Sequence, residues 1–462
     1  MFGERTTRRI FLTGLGASAL TALVAACGGQ PAAPPAESKP AQPAAGQPTA
    51  PAKSVASQGA PRKSITMWGR QQFLPESNAW LTESAKLAAK EGDFDIKVEL
   101  FSNDDHDQKE ILAMEAKQMP DLSMTGLSAL WWQNGWSREV QDLFEEVGRS
   151  GGGWFDAPMA FSLMEGKRIG VPLNVEPWML HLRKDLFEKA GVKVPFATFE
   201  EMIEGFKKVT QGQIYGFGGQ MTNPDWAGNV LCAMRAHGGR LFDKDGRQTI
   251  NTPQNLAGFT AYTDMYTKHK VMPPGVIQWD AAGNNKAWLS GQVAAICNTG
   301  STVLSMRKDN QEMLKNSIFT PWPGAKGNPP TTTANGWLIV VNKNSPHYDL
   351  IGQVIKKIMS KERYPGNLEA AGSYWFSALK AYKDIDFFTK DEWNRQIQQD
   401  VIPYGLPEFA DGGRNPVLDD IGVAAFGDAL QMVGVQGKTP QEALAFLEQK
   451  AKDAEAKFKK KA

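Results

Sequence analysis

From Lys63 onward, short apolar runs alternate with capped amphipathic stretches, the pattern of layered α/β structure. Residues 64–68 and 96–100 read as strands, and in the second Ile96, Val98 and Leu100 share one face. Residues 104–119 then read as a helix, with Leu112, Ala116 and Met119 at helical spacing. Thr198-Phe199-Glu200-Glu201 is a capping box, in which cap hydroxyl and glutamate satisfy backbone N–H groups ahead of the stripe Met202, Phe206 and Val209. Ser345-Pro346 starts a helix carrying Ile351, Ile355 and Ile358. Thr439-Pro440-Gln441-Glu442 joins a cap, a first-position proline and a capping glutamate before Leu444, Leu447 and Ala451. No period of 20 to 50 residues recurs, which excludes repeat architectures. The chain has 462 residues, more than one core usually covers, so two domains are expected.

The first 61 residues follow neither pattern. Arg5-Thr6-Thr7-Arg8-Arg9-Ile10-Phe11-Leu12 leads into an apolar stretch diluted by Gly14, Gly16 and Ser18 and ending Val24-Ala25-Ala26-Cys27. Paired arginines before a modest apolar region and small residues read as an export signal of the twin-arginine type, and the stretch is too short and too diluted for a transmembrane helix. The small residues before Cys27 resemble a lipobox, which makes Cys27 the lipidated first residue of the mature chain, since durable anchoring takes more than one acyl chain. Residues 28–61 are nearly all Gly, Pro, Ala, Gln, Ser and Thr, a composition that buries no core and reads as a disordered tether. At about 3.1 Å per residue in an extended polyproline-like form, it reaches on the order of 100 Å.

Charge adds little. The chain holds 51 basic and 50 acidic residues; removing Arg5, Arg8, Arg9 and Glu4 with the signal leaves 48 and 49, which does not favour nucleic acid. Lys459-Lys460-Lys461 reads as a solvated helix end. Cys232 and Cys297 fall in the exported part, where a disulfide and two separate buried thiols are equally open.

Catalytic signatures are missing from the sequence. The five histidines lack metal-ligand spacing, and there is no Gly-x-Ser-x-Gly elbow, phosphate-cradling loop or dinucleotide fingerprint. No cofactor or metal is expected. Asp104, Asp105 and Asp107 read as first-turn acids at a helix N-terminus rather than as a calcium loop. Gly151-Gly152-Gly153 reads as a loop. The unusual feature is 14 tryptophans, many beside Gly, Pro or Asn. Flat aromatic faces stack on the C–H faces of sugar rings while amides, carboxylates and arginine bond the hydroxyl rim.

The order of motifs resembles the family 1 extracellular solute-binding proteins, the group that includes maltose-binding protein. The resemblance rests on Ile65-Thr66-Met67-Trp68-Gly69, Met119-Pro120-Asp121-Leu122, Gly166-Lys167-Arg168-Ile169-Gly170-Val171-Pro172 and Lys184-Asp185-Leu186-Phe187-Glu188-Lys189-Ala190-Gly191. It continues through Gly238-Gly239-Arg240-Leu241-Phe242-Asp243, Trp288-Leu289-Ser290-Gly291-Gln292-Val293-Ala294, Pro321-Trp322-Pro323-Gly324 and Gly437-Lys438-Thr439-Pro440, spanning residues 63–455. His181-Leu182-Arg183 departs from the common Tyr-Tyr-Asn.

The resemblance implies an α/β, two-lobed periplasmic-binding-protein fold, type II-like, with hinge crossovers near 173–177, 334–337 and 400–405 and an interlobe ligand cleft. Lobe 1 is then 62–173 plus 338–400, and lobe 2 is 178–334 plus 405–462, after the signal 1–27 and tether 28–61. It implies an extracytoplasmic, membrane-anchored, monomeric substrate-binding lipoprotein of an ABC importer. Such a protein captures a small solute, most simply a sugar or oligosaccharide, by cleft closure and delivers it to permease subunits, with no catalysis. The motif positions imply ligand contacts from Trp68, Arg70, Gln71, Thr125 and Ser128 in lobe 1, Glu176, Trp178 and Trp337 at the crossings, Trp226 and Asn298 in lobe 2, and Trp375 and Arg414. A polyamine or organophosphate ligand, or a secreted carbohydrate-active enzyme using two carboxylates, are the alternatives.

Overall fold

The computed structural model describes residues 62–222, 228–243, 246–280, 282–406 and 416–461. The signal, Cys27 and the tether lie outside these residues, as do Trp226 and Arg414. Among the described residues no helix is long and apolar enough to cross a membrane.

Twelve strands organise the chain: β1 (Ser64–Arg70), β2 (Asp95–Phe101), β3 (Leu122–Thr125), β4 (Leu163–Met164), β5 (Lys167–Arg168), β6 (Val171–Pro172), β7 (Glu176–Arg183), β8 (Ala295–Asn298), β9 (Ser317–Thr320), β10 (Thr332–Asn335), β11 (Leu338–Val341) and β12 (Gly405–Leu406). The first sheet has the order β2-β1-β3-β11-β6. Its β1 is parallel to β2 and β3, while β11 arrives from the far end of the sequence and runs antiparallel to β3 and β6. The second sheet has the order β12-β10-β7-β8, with β9 also on β7. Strand β7 is its spine, with residues 176–178 paired to β10 and residues 179–183 to β8 and β9.

The chain therefore passes from the first sheet to the second between β6 and β7, and returns between β10 and β11. These passages are joined: Leu173 N donates to Trp337 O at 2.8 Å, and Trp337 N donates to Asn174 Oδ1 at 2.8 Å. Gly336 sits so close that an added Cβ would lie 2.1 Å from Asn174 O, so only glycine fits. Residues 391–401 lie beside the second sheet, where Gln396 Oε1 accepts from Phe319 N and Asp391 holds Arg307 in a two-pronged ion pair at 2.6–2.7 Å.

Local rules explain most elements. The helix Phe199–Val209 starts with Thr198 Oγ1 accepting from Glu201 N at 3.1 Å, and it buries Met202, Phe206 and Val209. At Thr439 the reciprocal box is complete, with Glu442 N donating to Thr439 Oγ1 and Thr439 N donating to Glu442 Oε2. Burial of Ile351, Ile355 and Ile358 docks helix Tyr348–Ile358 on the first core, each side chain contributing about 1.5–3 kcal/mol.

Boundaries moved where tertiary contacts intervene. The helix expected over 104–119 is Asn103–Ala116, stopped by Lys117 in a left-handed conformation (φ 57°). The Ser345-Pro346 helix begins only at Tyr348; Ser345 Oγ accepts from His347 N at 3.3 Å while donating to Asp121 Oδ1 at 2.5 Å, which ties the turn before the helix to the first sheet. Strand β1 runs on past the expected end at Trp68, so Arg70 becomes its last residue.

Candidate functional site

The paired crossings carry a buried polar cluster centred on Glu176, the first residue of β7. Glu176 Oε1 accepts three N–H groups: Asn174 Nδ2 at 2.9 Å, Trp337 Nε1 at 2.7 Å and Trp375 Nε1 at 3.0 Å. Tyr374 also hydrogen-bonds this carboxylate and the charge of Arg70 acts on it, yet burial outweighs both and raises its pKa above the ordinary carboxyl value. The Arg70 guanidinium lies over the Trp337 ring, 4.8 Å from its centroid. Gly126, just after β3, backs the same indole. Phe73 meets the Tyr374 ring edge-on at 4.9 Å and remains 59% exposed.

Four of the expected ligand residues, Arg70, Glu176, Trp337 and Trp375, thus meet in one place. Trp375 is fully buried, so its indole holds Glu176 rather than offering a face. Asn174, Tyr374 and Phe73 belong to the same cluster and were not anticipated. The crossover position of Asn174 and the aromatic neighbours Tyr374-Trp375 were the available signals.

The other expected residues sit elsewhere. Trp68 packs under helix Asn103–Ala116, with Nε1 donating to Glu99 Oε2 at 3.1 Å and the Lys109 ammonium 4.7 Å from its ring centroid. Gln71 is exposed just beyond β1. Thr125 Oγ1 is turned inward, donating to Glu110 Oε2 at 2.6 Å and accepting from Leu127 N at 2.9 Å. Ser123 Oγ donates to Glu110 Oε1 at 2.5 Å, and burial raises that carboxyl's pKa as well. Ser128 is buried at the start of helix Ser128–Gln133. Trp178 packs against Gly228, in a different core from Trp337 and Trp375.

Asn298 closes β8, its Oδ1 accepting from Thr299 N at 2.7 Å and its amide donating to Asn285. Two residues on, Gly300 presses on Ser373 and Tyr374, where a Cβ would fall 1.6 Å from Ser373 O. His181 braces this turn. It is buried, its pKa is pushed down to about 3 by burial, and the neutral ring donates from Nε2 to Asn298 O at 3.2 Å and accepts at Nδ1 from Thr302 Oγ1 at 2.9 Å. The His181 departure thus has a defined task. Among the described residues no group of three or more His, Cys, Asp or Glu could hold a metal ion.

Two sheets bridged by paired crossings, with a buried carboxylate and aromatics at the junction, define the two-lobed architecture of periplasmic sugar-binding proteins. A sugar transporter from Arthrobacter chlorophenolicus with bound laminaribiose superposes with TM-score 0.69 at 17% identity, covering 84% of this chain and 99% of that one. A maltose-bound protein of T. maritima gives 0.67 at 17% identity (85% and 99%), and a solute-binding protein from Agrobacterium radiobacter in complex with ribitol gives 0.67 at 21% (85% and 98%). The chain belongs to the bacterial extracellular solute-binding protein family, whose model matches residues 74–363. Family and fold are those of binding proteins, not enzymes, and the family is extracytoplasmic.

A Brucella abortus protein named as a binding protein is 27% identical over 168 residues, 36% of this chain and 40% of that protein, so the match spans less than half of this relative's length. A protein of Deinococcus radiodurans described as a probable ABC transporter-binding protein is 21% identical over 310 residues, 64% and 70% of the two chains.

Proposed function

We propose that the protein captures a neutral sugar or polyol between its lobes and delivers it to the permease of an ABC importer, tethered to the membrane through lipidated Cys27. The observation that carries this reading is the Glu176 cluster. The Trp337 indole is fixed at its N–H by Glu176 and lies under the Arg70 guanidinium, while Tyr374, a further partner of Glu176, carries the exposed Phe73 ring against its edge. The exposed Phe73 face suits the C–H face of a pyranose, and the adjoining polar groups suit hydroxyls.

The same geometry argues against the charged alternatives. One Glu176 oxygen already accepts three N–H groups, which leaves it poorly placed to receive an ammonium from a polyamine. Arg70 is stacked on Trp337 and balanced by the Glu176 charge, so a phosphate would have to displace both partners. Binding to laminaribiose, maltose and ribitol by proteins of the same fold agrees with a polyhydroxylated ligand. The lobes are assigned as 62–173 with 338–400 and 178–334 with 405–462, the stretch from Asp391 to Asp400 reaching across to the second sheet. The twin-arginine signal exports the chain, and residues 28–61 let the body range over the membrane as a monomer. Asn298, at the end of β8, is assigned to the second wall.

Thermal unfolding against mono- and oligosaccharides, polyols, polyamines and phosphate esters tests the reading. A ligand present at 100 times its Kd stabilises by about 2.7 kcal/mol. A selective shift with one sugar or polyol, recovered intact, is expected. Shifts confined to polyamines or phosphate esters would overturn the neutral-ligand assignment.

A further inference from the structure

Cys232 and Cys297 lie 65 positions apart in sequence, on helix Gly228–Ala236 and strand β8, and both are fully buried. The alternation of β7 brings them to one side. Trp178, Leu180 and Leu182 face the core that also contains both cysteines, whereas Met179 and Ile296 face the opposite core. Leu180 and Cys297 are cross-strand partners, so their side chains share that face. The helix lies across it, with Cys232 Sγ 3.3 Å from Thr333 Oγ1 and 3.9 Å from Trp178 O. The two thiols hydrogen-bond each other, and Trp322 Nε1 donates to Cys297 Sγ at 3.3 Å.

We infer that in the exported protein Cys232 and Cys297 are joined by a disulfide that fastens helix Gly228–Ala236 to β8. The structure holds the two cysteines as free, buried thiols that hydrogen-bond each other, so forming the bond requires the sulfurs to close to about 2.0 Å. The family is extracytoplasmic, and disulfides persist in such compartments. The oxidant is a protein disulfide of the envelope. One thiolate attacks it to give a mixed disulfide, the second thiolate displaces it, and the oxidant leaves as a dithiol that carries the two electrons and the two protons the cysteines gave up. Because neither sulfur is exposed while the helix is docked, exchange proceeds through transient opening of helix Gly228–Ala236, and the finished bond is shielded from reductants. The crosslink sits directly behind Trp178, two residues from Glu176, and stiffens the second sheet beneath the site.

The test uses the full-length protein extracted from the cell envelope in detergent, alkylated in denaturant without reductant and digested with trypsin. The expected product is one species joining the peptides that end at Arg235 and Arg307, two hydrogens lighter than their sum, and split by reductant into two alkylatable peptides. Recovery of the two peptides separately, each already alkylated, overturns the inference. As a second readout, a phosphine reductant added during heating should lower the unfolding midpoint of the native protein by about 5 °C and leave a Cys232→Ala/Cys297→Ala variant unmoved. Equal response of the two proteins counts against the bond, and because the mapping is done on the native chain it does not depend on the variant folding.

Discussion

Removing the Glu176 carboxylate separates two costs that are usually entangled. In Glu176→Ala, the N–H groups of Asn174, Trp337 and Trp375 lose their shared acceptor in a site where Trp375 is fully buried. Each orphaned donor costs about 1–3 kcal/mol, and relief of a buried charge offsets part of the sum, giving an expected loss of about 3–5 kcal/mol. In Glu176→Gln, the amide oxygen can take the place of Oε1 and keep all three bonds. The loss is then that of charge assistance set against easier burial, about 1 kcal/mol. Urea unfolding of both variants at neutral pH, with unchanged slope as the control, measures the difference.

The pH dependence carries a second check on the same residue. Burial raises the folded carboxyl above its ordinary 4.5, so above that value the unfolded chain is the readier to ionise and the wild type loses stability as pH rises toward the folded pKa. Glu176→Gln lacks this loss, so its deficit should shrink over the same window. If the alanine and glutamine variants agree to within about 0.5 kcal/mol, the indoles do not depend on Glu176 and the reasoning fails.

Three further outcomes are expected. His181 binds its proton only near pH 3 when folded but near 6.5 when unfolded, so stability it helps provide above 6.5 is lost as pH falls through that window, by on the order of 4 kcal/mol; His181→Asn should flatten this part of the profile, and an unchanged profile would remove His181 as its source. Gly300→Ala forces a methyl against Ser373 O and should destabilise by about 3 kcal/mol or more in urea unfolding, whereas a neutral result would show that the two segments do not press together. Arg70→Lys keeps the charge but not the planar stack on Trp337, so the solute identified by thermal shift should bind about tenfold more weakly by calorimetry, with fold stability changed by less than about 1 kcal/mol; unaltered affinity would take Arg70 out of the site.

The sequence disclosed what depends on neighbours along the chain. The boxes at Thr198 and Thr439 needed only four consecutive residues, and both formed. The Ser345 start came two residues late, and its hydroxyl also serves Asp121, more than 200 positions away, a partner that no local pattern shows. The site behaved likewise. Motif position brought Glu176, Arg70 and Trp337 into view, but period-two spacing could not separate Arg70 from Trp68, which share a face of β1. Helix Asn103–Ala116 covers one and leaves the other at the crossing, and that is a tertiary fact. Asn174, Tyr374 and Phe73 come from three distant segments that converge only once both sheets are built, so no local pattern announces them. Thr125 is the last residue of β3, but its hydroxyl answers to Glu110, whose burial is invisible in a run of charged helical residues.

The passages at 173–176 and 335–338 are laced together by Leu173, Asn174 and Trp337, with Gly336 closing the gap, and so they act as one ribbon rather than two strings. A thin ribbon bends and twists easily but resists sliding in its own plane. It has the form of a leaf spring: a swing of one sheet against the other would bend it, whereas a slide would have to break its hydrogen bonds. Gly336 sets how closely the two passages lie, and a side chain there, meeting Asn174 O at 2.1 Å, would prise the ribbon apart at the residue that also holds Glu176.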